Sequence, residues 1–303
     1  EKKIQKKRDE GDKNQAEKIL FEFLNPFLEV TVKMMQAEED EEIKQSLINY
    51  QTFLENIGQI LYKKNDNISP KKANIFSTNY DLFFEKAYEC ITKTIQLNDG
   101  FKRCPSLTKK FGFSSSEYFN TTFNNSALYN YQVRVPSINL FKLHGSLNWK
   151  TKDNKIFYSV DHLFELFEEY KVLLEDEKAC YKEFNEKLSI VLPLNTKFRD
   201  TILNQTYYDM LRMYANELDR EQTLLLAEGI SFEDQHILGI TIRALQNLSL
   251  KLIIFCYDKD EVNGFKSKFN LFDNVDILYS ENTKIDFAKF NSLISEIALT
   301  ENG

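Results

Sequence analysis

Three short polar turns in the sequence carry side chains that could do chemistry. Each turn follows an apolar run of the kind that forms a β-strand, and the turns occupy residues 77–81, 142–146 and 229–234. They contain an amide, an imidazole and several hydroxyl and carboxyl groups, which together can bind a polar ligand, hold a water and move a proton. A functional site is therefore expected at these turns.

The first turn contains Asn79 between two other polar residues, Thr78 and Asp81. An asparagine side chain donates and accepts hydrogen bonds, so Asn79 suits recognition of a carboxamide or the holding of a water near a reacting carbon. A simpler interpretation is that Thr78 and Asp81 cap the helix that follows, a common role for both residue types. The turn alone leaves both interpretations open.

The second turn places His144 after an apolar strand and before Gly145 and Ser146. Imidazole is the side chain whose unperturbed pKa lies closest to neutrality, so a histidine at the end of a strand suits a general base. The alternative is a structural histidine that bonds a neighbouring carbonyl group. The turn by itself does not separate these two roles.

The third turn begins at Gly229 and leads into a helix through Ser231, Glu233 and Asp234. Glycine permits close approach of a ligand to the backbone, and the start of a helix offers free N–H groups. The acidic residues disfavour a bare phosphate and suit sugar hydroxyls better. An N-capped helix without a ligand is the alternative, and His236 is predicted to be a structural residue of that helix.

Short apolar runs alternate with segments of helical periodicity, which predicts an α/β fold with a parallel sheet and right-handed crossovers. In such a sheet the ligand crevice lies outside the carboxyl ends of the strands, where the three turns fall. The predicted strands cover residues 73–77, 138–143, 188–192, 223–227, 252–257 and 275–279. Helices are predicted from residue 82 to about residue 95, at 161–187 and 207–218, and at 237–245, 262–269 and 287–297.

Other segments surround this predicted core. Residues up to 64 have the periodicity of two amphipathic helices, and residues 100–136 have the character of a long excursion outside the core. We expect a single domain over residues 1–303. Its expected parts are a helical segment at 1–70 and an α/β core at 73–303, with insertions near 97–136 and 150–187.

Composition narrows the classes of function. The chain has 303 residues and a formal net charge of -7, which disfavours direct binding of nucleic acid. No apolar run approaches the roughly 20 residues of a membrane helix. The four cysteines stand apart from one another, so no CxxC pair indicates a metal site, and a reducing cytoplasmic setting is the simplest expectation.

Taken together, the three turns resemble segments of the sirtuin family in order and spacing. The segment from Thr78 to Asp81 is similar to the one whose asparagine and aspartate line the nicotinamide pocket. Residues 141–149, FKLHGSLNW, are similar to the segment with the catalytic histidine, and residues 229–237 resemble the Gly-x-Ser turn that meets the NAD ribose. The resemblance implies a Rossmann-like parallel sheet with helices on both faces, and NAD as the substrate.

Two departures from the sirtuin pattern refine this expectation. Residues 148–188 contain only Cys180, where protein deacylases carry a four-cysteine zinc module. This resembles the zinc-free branch that hydrolyses NAD in prokaryotic antiviral defence, so no zinc is expected. The Gly-Ala-Gly-x-Ser loop of the family has no counterpart in the sequence. We expect that this strand and loop precede the first residue, and the alternative is an incomplete site that cannot turn over.

The resemblance assigns a role to each candidate residue. It implies that Asn79 and His144 are catalytic and that Asp81 binds the nicotinamide side. The other implied cofactor-binding residues are Thr78, Gly229, Ser231 and Asp234.

The long insertion between Asp81 and His144 resembles the sirtuin subunit that assembles with a HerA-like hexameric ATPase, and a homo-oligomer is expected. The leading function is hydrolysis of NAD to nicotinamide and ADP-ribose. The rivals are a catalytically silent NAD-binding or ADP-ribose-binding scaffold of such an ATPase, a protein deacylase, and a helical interaction protein.

Overall fold

The computed structural model describes residues 13–36, 40–64, 70–92, 94–103, 111–125, 131–153, 155–175, 181–190 and 205–300. The chain divides into an N-terminal unit, Glu1–Met210, and a C-terminal unit, Leu211–Gly303. None of the helices in the described part of the chain combines the length and the hydrophobicity of a membrane-spanning segment.

The N-terminal unit combines helices with short strands. Its helices are α1 (Lys13–Met35), α2 (Glu41–Lys63), α3 (Phe83–Glu89), α4 (Val160–Glu175) and α5 (Tyr181–Lys187), with a 3-10 helix at Ser115–Phe119. Its strands are β1 (Lys72–Ser77), β2 (Gln96–Asn98), β3 (Phe111–Gly112), β4 (Phe123–Asn125), β5 (Gln132–Arg134), β6 (Ser137–Lys142), β7 (Trp149–Lys152) and β8 (Lys155–Tyr158). Helix α6 (Gln205–Leu218) contains the border between the two units.

Two long helices open the described chain, which confirms the helical prediction for this region. Asp40 caps α2, and its Oδ1 accepts hydrogen bonds from the backbone N–H groups of Glu42 at 3.0 Å and Ile43 at 3.2 Å. Helix α1 buries Leu20, Leu24 and others at three- and four-residue steps, as an amphipathic helix must. Residues 1–12 and 37–39 lie outside the described part of the chain.

A parallel sheet of order β1-β6-β2 forms the centre of the N-terminal unit. Every residue of the middle strand β6 is buried. In the register of the three strands, Asn139 stands between Asn74 and Asn98. Its side-chain nitrogen donates to Asn74 Oδ1 at 2.9 Å, and its oxygen accepts from Asn98 at 3.1 Å. The neighbouring amides thus provide hydrogen-bond partners for the Asn139 side chain, which is buried in the middle strand.

Side chains of β6 pack on both faces of this sheet. Ile138 and Leu140 belong to a cluster with residues of α2 and α3. Phe141 stacks on Tyr118 of the 3-10 helix, with ring centroids 4.0 Å apart. The Tyr118 hydroxyl donates to the Leu140 carbonyl at 3.1 Å.

Part of the predicted long excursion is therefore core, and that expectation was wrong. Within residues 100–136, Tyr118 is 1% exposed, and strand β2, which joins the parallel sheet, lies just before this segment. The prediction that one helix runs on to residue 95 was also wrong, because α3 ends at Glu89. A three-residue strand is too short to show a period of two, so only its pairing with β6 identifies it.

Helices α4 and α5 confirm the helical prediction for residues 161–187, but two strands that the sequence did not reveal precede them. Strands β7 and β8 form a hairpin, and β8 also pairs with β3 in an antiparallel sheet. Strands β4 and β5 form a separate antiparallel pair. In the predicted strand 188–192, the described part contributes one isolated bridge, between Ile190 and Gly145, and residues 191–192 lie outside the described ranges.

The C-terminal unit alternates strand and helix as predicted. Its elements are β9 (Leu224–Glu228), α7 (Gln235–Ala244), β10 (Lys251–Phe255), α8 (Lys259–Phe269), β11 (Val275–Leu278) and α9 (Phe287–Thr300). The strands are parallel in the order β11-β10-β9. With the β1-β6-β2 sheet, this confirms the α/β class and is consistent with a Rossmann-like fold.

Candidate functional site

The first predicted turn leaves the carboxyl end of β1 and is held by short-range hydrogen bonds. The Asn79 backbone N–H donates to Ser77 Oγ at 3.1 Å. Asn79 is exposed and Thr78 is half-buried. Asp81 Oδ1 accepts from the backbone N–H of Phe83, the first residue of α3, at 3.1 Å. Asp81 therefore does bond the start of the helix, while its cofactor-binding role stays a prediction.

The second turn leaves the carboxyl end of β6 beside the first, because Ser77 and Lys142 are paired in the parallel register. The Tyr80 carbonyl accepts from the Leu147 backbone N–H at 3.1 Å and from Ser146 Oγ at 3.3 Å. The rings of Tyr80 and His144 have centroids 6.3 Å apart. The structure thus brings the first and second predicted turns together at one edge of the sheet.

Gly145 gives the second turn its shape. Its φ of +81° lies in the left-handed region. A Cβ at this position would lie 2.2 Å from the Ser189 carbonyl oxygen and 3.0 Å from the Tyr207 hydroxyl. Tyr207 donates to that same carbonyl at 2.8 Å, and burial raises the pKa of Tyr207, so the hydroxyl keeps its proton. Ser189 and Tyr207 were missed at the sequence level, because they are distant along the chain.

A buried ion pair underlies the two turns. Lys142 has a side chain 2% exposed, and its Nζ donates to the carbonyl oxygens of Asp81 and, at 3.5 Å, of Asn79. Its Nζ also lies 3.6 Å from Glu85 Oε2. Burial raises the pKa of the Glu85 carboxyl, and the positive charge of Lys142 opposes that shift. A lysine that closes an otherwise apolar strand was the available signal for this pair.

The third strand of the same sheet also ends in charged residues. Asp99 follows β2 directly and is 7% exposed. The Arg103 guanidinium pairs with both oxygens of Asp99 and lies 5.1 Å from the centroid of the Tyr158 ring. The hydrogen bond to Asp99 raises the pKa of Arg103 further, so the guanidinium keeps its charge. The sequence analysis did not single out either residue.

The third predicted turn belongs to the C-terminal unit and follows β9. Gly229 has a φ of +64°, and nothing lies within 4 Å of the position that a Cβ would take. Asp234 is the N-cap of α7, and its Oδ1 accepts from the backbone N–H groups of His236 at 2.9 Å and Ile237 at 3.4 Å. The alternative of an N-capped helix is therefore realised, and the role of Gly229 and Asp234 toward a ribose remains a prediction.

Lys268 of α8 holds this turn by hydrogen bonds. Its Nζ donates to the Ser231 carbonyl at 2.7 Å and to Glu233 Oε1 at 2.6 Å. The Ser231 hydroxyl accepts from the Glu233 backbone N–H at 3.4 Å. Phe232 is buried against the rings of Phe265 and Phe269. These contacts hold the turn, and Ser231 is exposed.

Glu228 ends β9 immediately before this turn. Burial raises the pKa of the Glu228 carboxyl, and the nearby negative charge of Asp286 adds to the shift. Perturbed carboxyl groups of this kind often mark functional sites. The sequence analysis did not select Glu228, because its burial depends on the packing of the unit.

Potential metal ligands are scattered in the described part of the chain. No group of three histidine, cysteine, aspartate or glutamate side chains there is placed to hold a metal ion. Cys90 is exposed, and burial raises the pKa of the Cys256 thiol to about 11. Cys104 and Cys180 lie outside the described ranges.

Residues 73–271 match the protein family described as SIR2-like domain. The match covers more than half of the chain and includes all three polar turns. No curated protein matches the chain significantly.

Proposed function

Because the chain belongs to the family of SIR2-like domains, whose members use NAD as a substrate, we propose that it hydrolyses NAD to nicotinamide and ADP-ribose. The observation that carries this proposal is the pairing of the two turns at the edge of the β1-β6-β2 sheet. An amide from Asn79, a carboxylate from Asp81 and an imidazole from His144 leave neighbouring strand ends there. These groups can hold a water, contact the nicotinamide and accept a proton, which are the tasks of hydrolysis at this bond.

The proposed reaction breaks the bond between the ribose C1′ and the nicotinamide nitrogen. The electron pair of that bond goes to the pyridinium nitrogen, a water oxygen bonds to C1′, and one proton is released. His144 accepts a proton from the water or from a ribose hydroxyl. Asn79 holds the water or the carboxamide, and Asp81, with Thr78 beside it, binds the nicotinamide side.

The proposed ribose contacts of the adenosine half are in the C-terminal unit. Gly229 and Ser231 are exposed in a turn that other residues hold rigid. The Asp234 carboxylate is the proposed acceptor for a ribose hydroxyl, since one carboxylate can accept several hydrogen bonds in addition to those of the helix start. The absence of a side chain at Gly229 leaves the backbone open to the ligand.

A second candidate function is a scaffold that binds NAD or ADP-ribose without cleaving NAD. It is favoured by one observation, that Gly229 and Ser231 are exposed in a turn held by hydrogen bonds from Lys268, which suits binding of a ribose without chemistry. Tight binding of ADP-ribose to the full chain without release of nicotinamide would support the scaffold. Release of acetyl-ADP-ribose from an acetylated peptide would instead support a deacylase.

We also propose the cellular role that the sirtuin resemblance implies. In this role a cytoplasmic homo-oligomer depletes NAD during antiphage defence, together with a HerA-like hexameric ATPase. The proposal rests on the zinc-free motif pattern and on the long insertion between Asp81 and His144. Its test is the NAD content of infected cells that express the chain with and without the ATPase.

The test of the reaction is release of nicotinamide from NAD by the purified full chain, alone and with the ATPase. Removal of a general base or of a positioning amide lowers rates by about 10²–10⁴-fold, so we expect such losses for His144→Ala and Asn79→Ala. Asn124→Ala in the exposed hairpin strand β4 is the control and should leave the rate unchanged. NAD that stays intact under all conditions would contradict the proposal.

A further inference from the structure

Lys142 is a buried cation, and the proposed reaction gives it no role. We propose that Lys142 is a positioning residue, which holds the backbone of residues 79–81 in the conformation that binds nicotinamide. This inference rests on the proposed function, since it concerns the residues assigned to the nicotinamide side. Lys142 itself touches neither the substrate nor the reacting atoms.

The carbonyl groups of residues 79, 80 and 81 carry the inference. All three are hydrogen-bonded to residues 142–147 that follow the neighbouring strand. Lys142 Nζ donates to the carbonyl oxygens of Asn79 and Asp81, and the Tyr80 carbonyl between them accepts from Leu147 and Ser146. The Lys142 ammonium thus bonds the residues on either side of Tyr80 and fixes the first turn on the second.

An ammonium group suits this task better than a neutral side chain would. It has three donors and no acceptor, so one Nζ can serve two carbonyl groups and a carboxylate. Glu85 supplies the compensating charge at 3.6 Å, which a buried cation needs. Glu85 Oε2 is itself buried without a hydrogen bond, so its contribution is its charge rather than a directed contact.

The consequence for function lies in the precision of the first turn. Asn79 is exposed, so neighbouring side chains do not pack around it, and its position depends on the backbone. A displacement of about 1 Å in a positioning group can cost about 10²-fold in rate. Apolar residues of α1 pack in one cluster with Tyr80 and Leu147, which keeps the rest of the two turns in place when the ammonium is removed.

The test compares four variants of the full chain. Lys142→Met removes the ammonium but leaves Glu85 as a lone buried carboxylate, which can unfold the protein for an unrelated reason. The double variant Lys142→Met/Glu85→Gln removes both charges and is the informative one. Glu85→Gln alone keeps the lysine, and Lys86→Met removes a half-buried lysine next to Glu85 in helix α3, where Lys86 pairs with Glu89.

Three measurements are made on each variant. They are calorimetric affinities for nicotinamide and for ADP-ribose, the kcat and KM for NAD, and amide hydrogen exchange of the ligand-free protein. We expect the double variant to lose at least about tenfold in nicotinamide affinity and about 10²-fold in kcat. Its ADP-ribose affinity should stay within twofold of wild type. Partial unfolding would instead lower the affinities for nicotinamide and for ADP-ribose together. Lys86→Met should retain both affinities. Glu85→Gln keeps the bonds from the ammonium to the two carbonyl groups, so it should lose less nicotinamide affinity than the double variant.

Hydrogen exchange separates this inference from the proposed function. Faster exchange of the Asn79 and Phe83 amides in the double variant, with unchanged exchange in β10, supports the positioning role of Lys142. This holds even if the wild-type chain leaves NAD intact. That combination would overturn the proposed reaction alone. An active wild type with a double variant that matches Lys86→Met in nicotinamide affinity, kcat and exchange would overturn the positioning role of Lys142.

Discussion

At Gly145 the backbone adopts a conformation that residues with a Cβ rarely adopt, and the surrounding atoms leave no space for a side chain. The φ is +81°, and the Ser189 carbonyl fills the position next to the missing Cβ. Both constraints act on the turn that carries His144. The glycine of the His-Gly-Ser pattern is thus explained by sterics.

Substitution of this glycine tests the steric argument. Gly145→Ala should lose about 1–2 kcal/mol of unfolding free energy from the left-handed backbone alone, and more from the clash with Ser189. The measurement is urea-induced unfolding. Gly239→Ala is the matched control, because Gly239 lies inside α7 with open space around its Cβ position. It should gain about 0.5–1 kcal/mol, and an equal response of the two variants would contradict the argument.

Glu228 makes stability depend on pH. Its pKa in the folded protein is raised by burial above the ordinary value of 4.5. At a pH between the unfolded and the folded pKa, the folded state therefore holds a proton that the unfolded chain has released. Stability therefore falls as the pH rises from about 4.5 through the folded pKa.

Glu228→Gln should remove this fall. We expect the variant to melt at a higher temperature than wild type at pH 7 and at the same temperature at pH 4. Glu281→Gln, at an exposed site 3.9 Å from Lys259, is the control and should change little at either pH. A variant that is less stable than wild type at pH 7 would show that Glu228 is ionised and favourably paired.

At the scale of the elements, helix starts have the clearest local chemistry. Asp40 begins α2 and Asp234 begins α7, and each accepts hydrogen bonds from the second and third residues beyond it. An aspartate before an amphipathic run predicts this structure from sequence alone. The cap explains why Asp234 is present without reference to a ligand, so its proposed second role needs a test that separates the two.

Two substitutions of Asp234 make that separation. Asp234→Asn keeps the cap, because asparagine caps as well as aspartate, whereas Asp234→Ala should lose about 1 kcal/mol of stability. If the carboxylate also accepts a ribose hydroxyl, both variants should bind ADP-ribose several-fold more weakly. Asp40→Ala is the control, with a similar loss of stability and unchanged ADP-ribose affinity. If Asp234→Asn binds ADP-ribose with wild-type affinity, the role of Asp234 is limited to capping the helix.

Elements outside the regular pattern depended on tertiary contacts. Strand β2 was not predicted as a strand, and the helical turn around Tyr118 was predicted as part of an excursion, because such short polar and aromatic segments show no sustained period. They become core through pairing with β6 and stacking on Phe141. The alternating strands and helices of the C-terminal unit were predictable, because their periods are long and regular.

At the scale of the whole molecule, the chain consists of two units, and each one contains a parallel sheet with a predicted polar turn at its carboxyl edge. The family match covers most of the N-terminal unit and continues into the C-terminal unit. Residues with a proposed role in ligand binding occur in each unit. Ligand binding should therefore be visible in the stability of the full chain.

ADP-ribose provides this test at the molecular scale. A ligand that binds only the folded state at about 100 times its Kd adds about 2.7 kcal/mol to the unfolding free energy. We expect a concentration-dependent rise in melting temperature and slower amide exchange at residues 229–234. Adenosine without a phosphate should give a smaller rise at the same concentration. An unchanged melting temperature in millimolar ADP-ribose and in millimolar NAD would contradict both the hydrolase and the scaffold.

The sequence alone was sufficient for the α/β class, the alternation of the C-terminal unit and the three polar turns, because each is encoded in residues close together along the chain. Tertiary structure was needed to show that the first two turns meet, because parallel pairing joins β1 to β6 across sixty-five residues of chain. It also revealed Lys142 under Asn79 and Asp81, and Tyr207 against Gly145. The roles of these groups depend on burial and on contact with residues distant along the chain. Neither property produces a local pattern in the sequence.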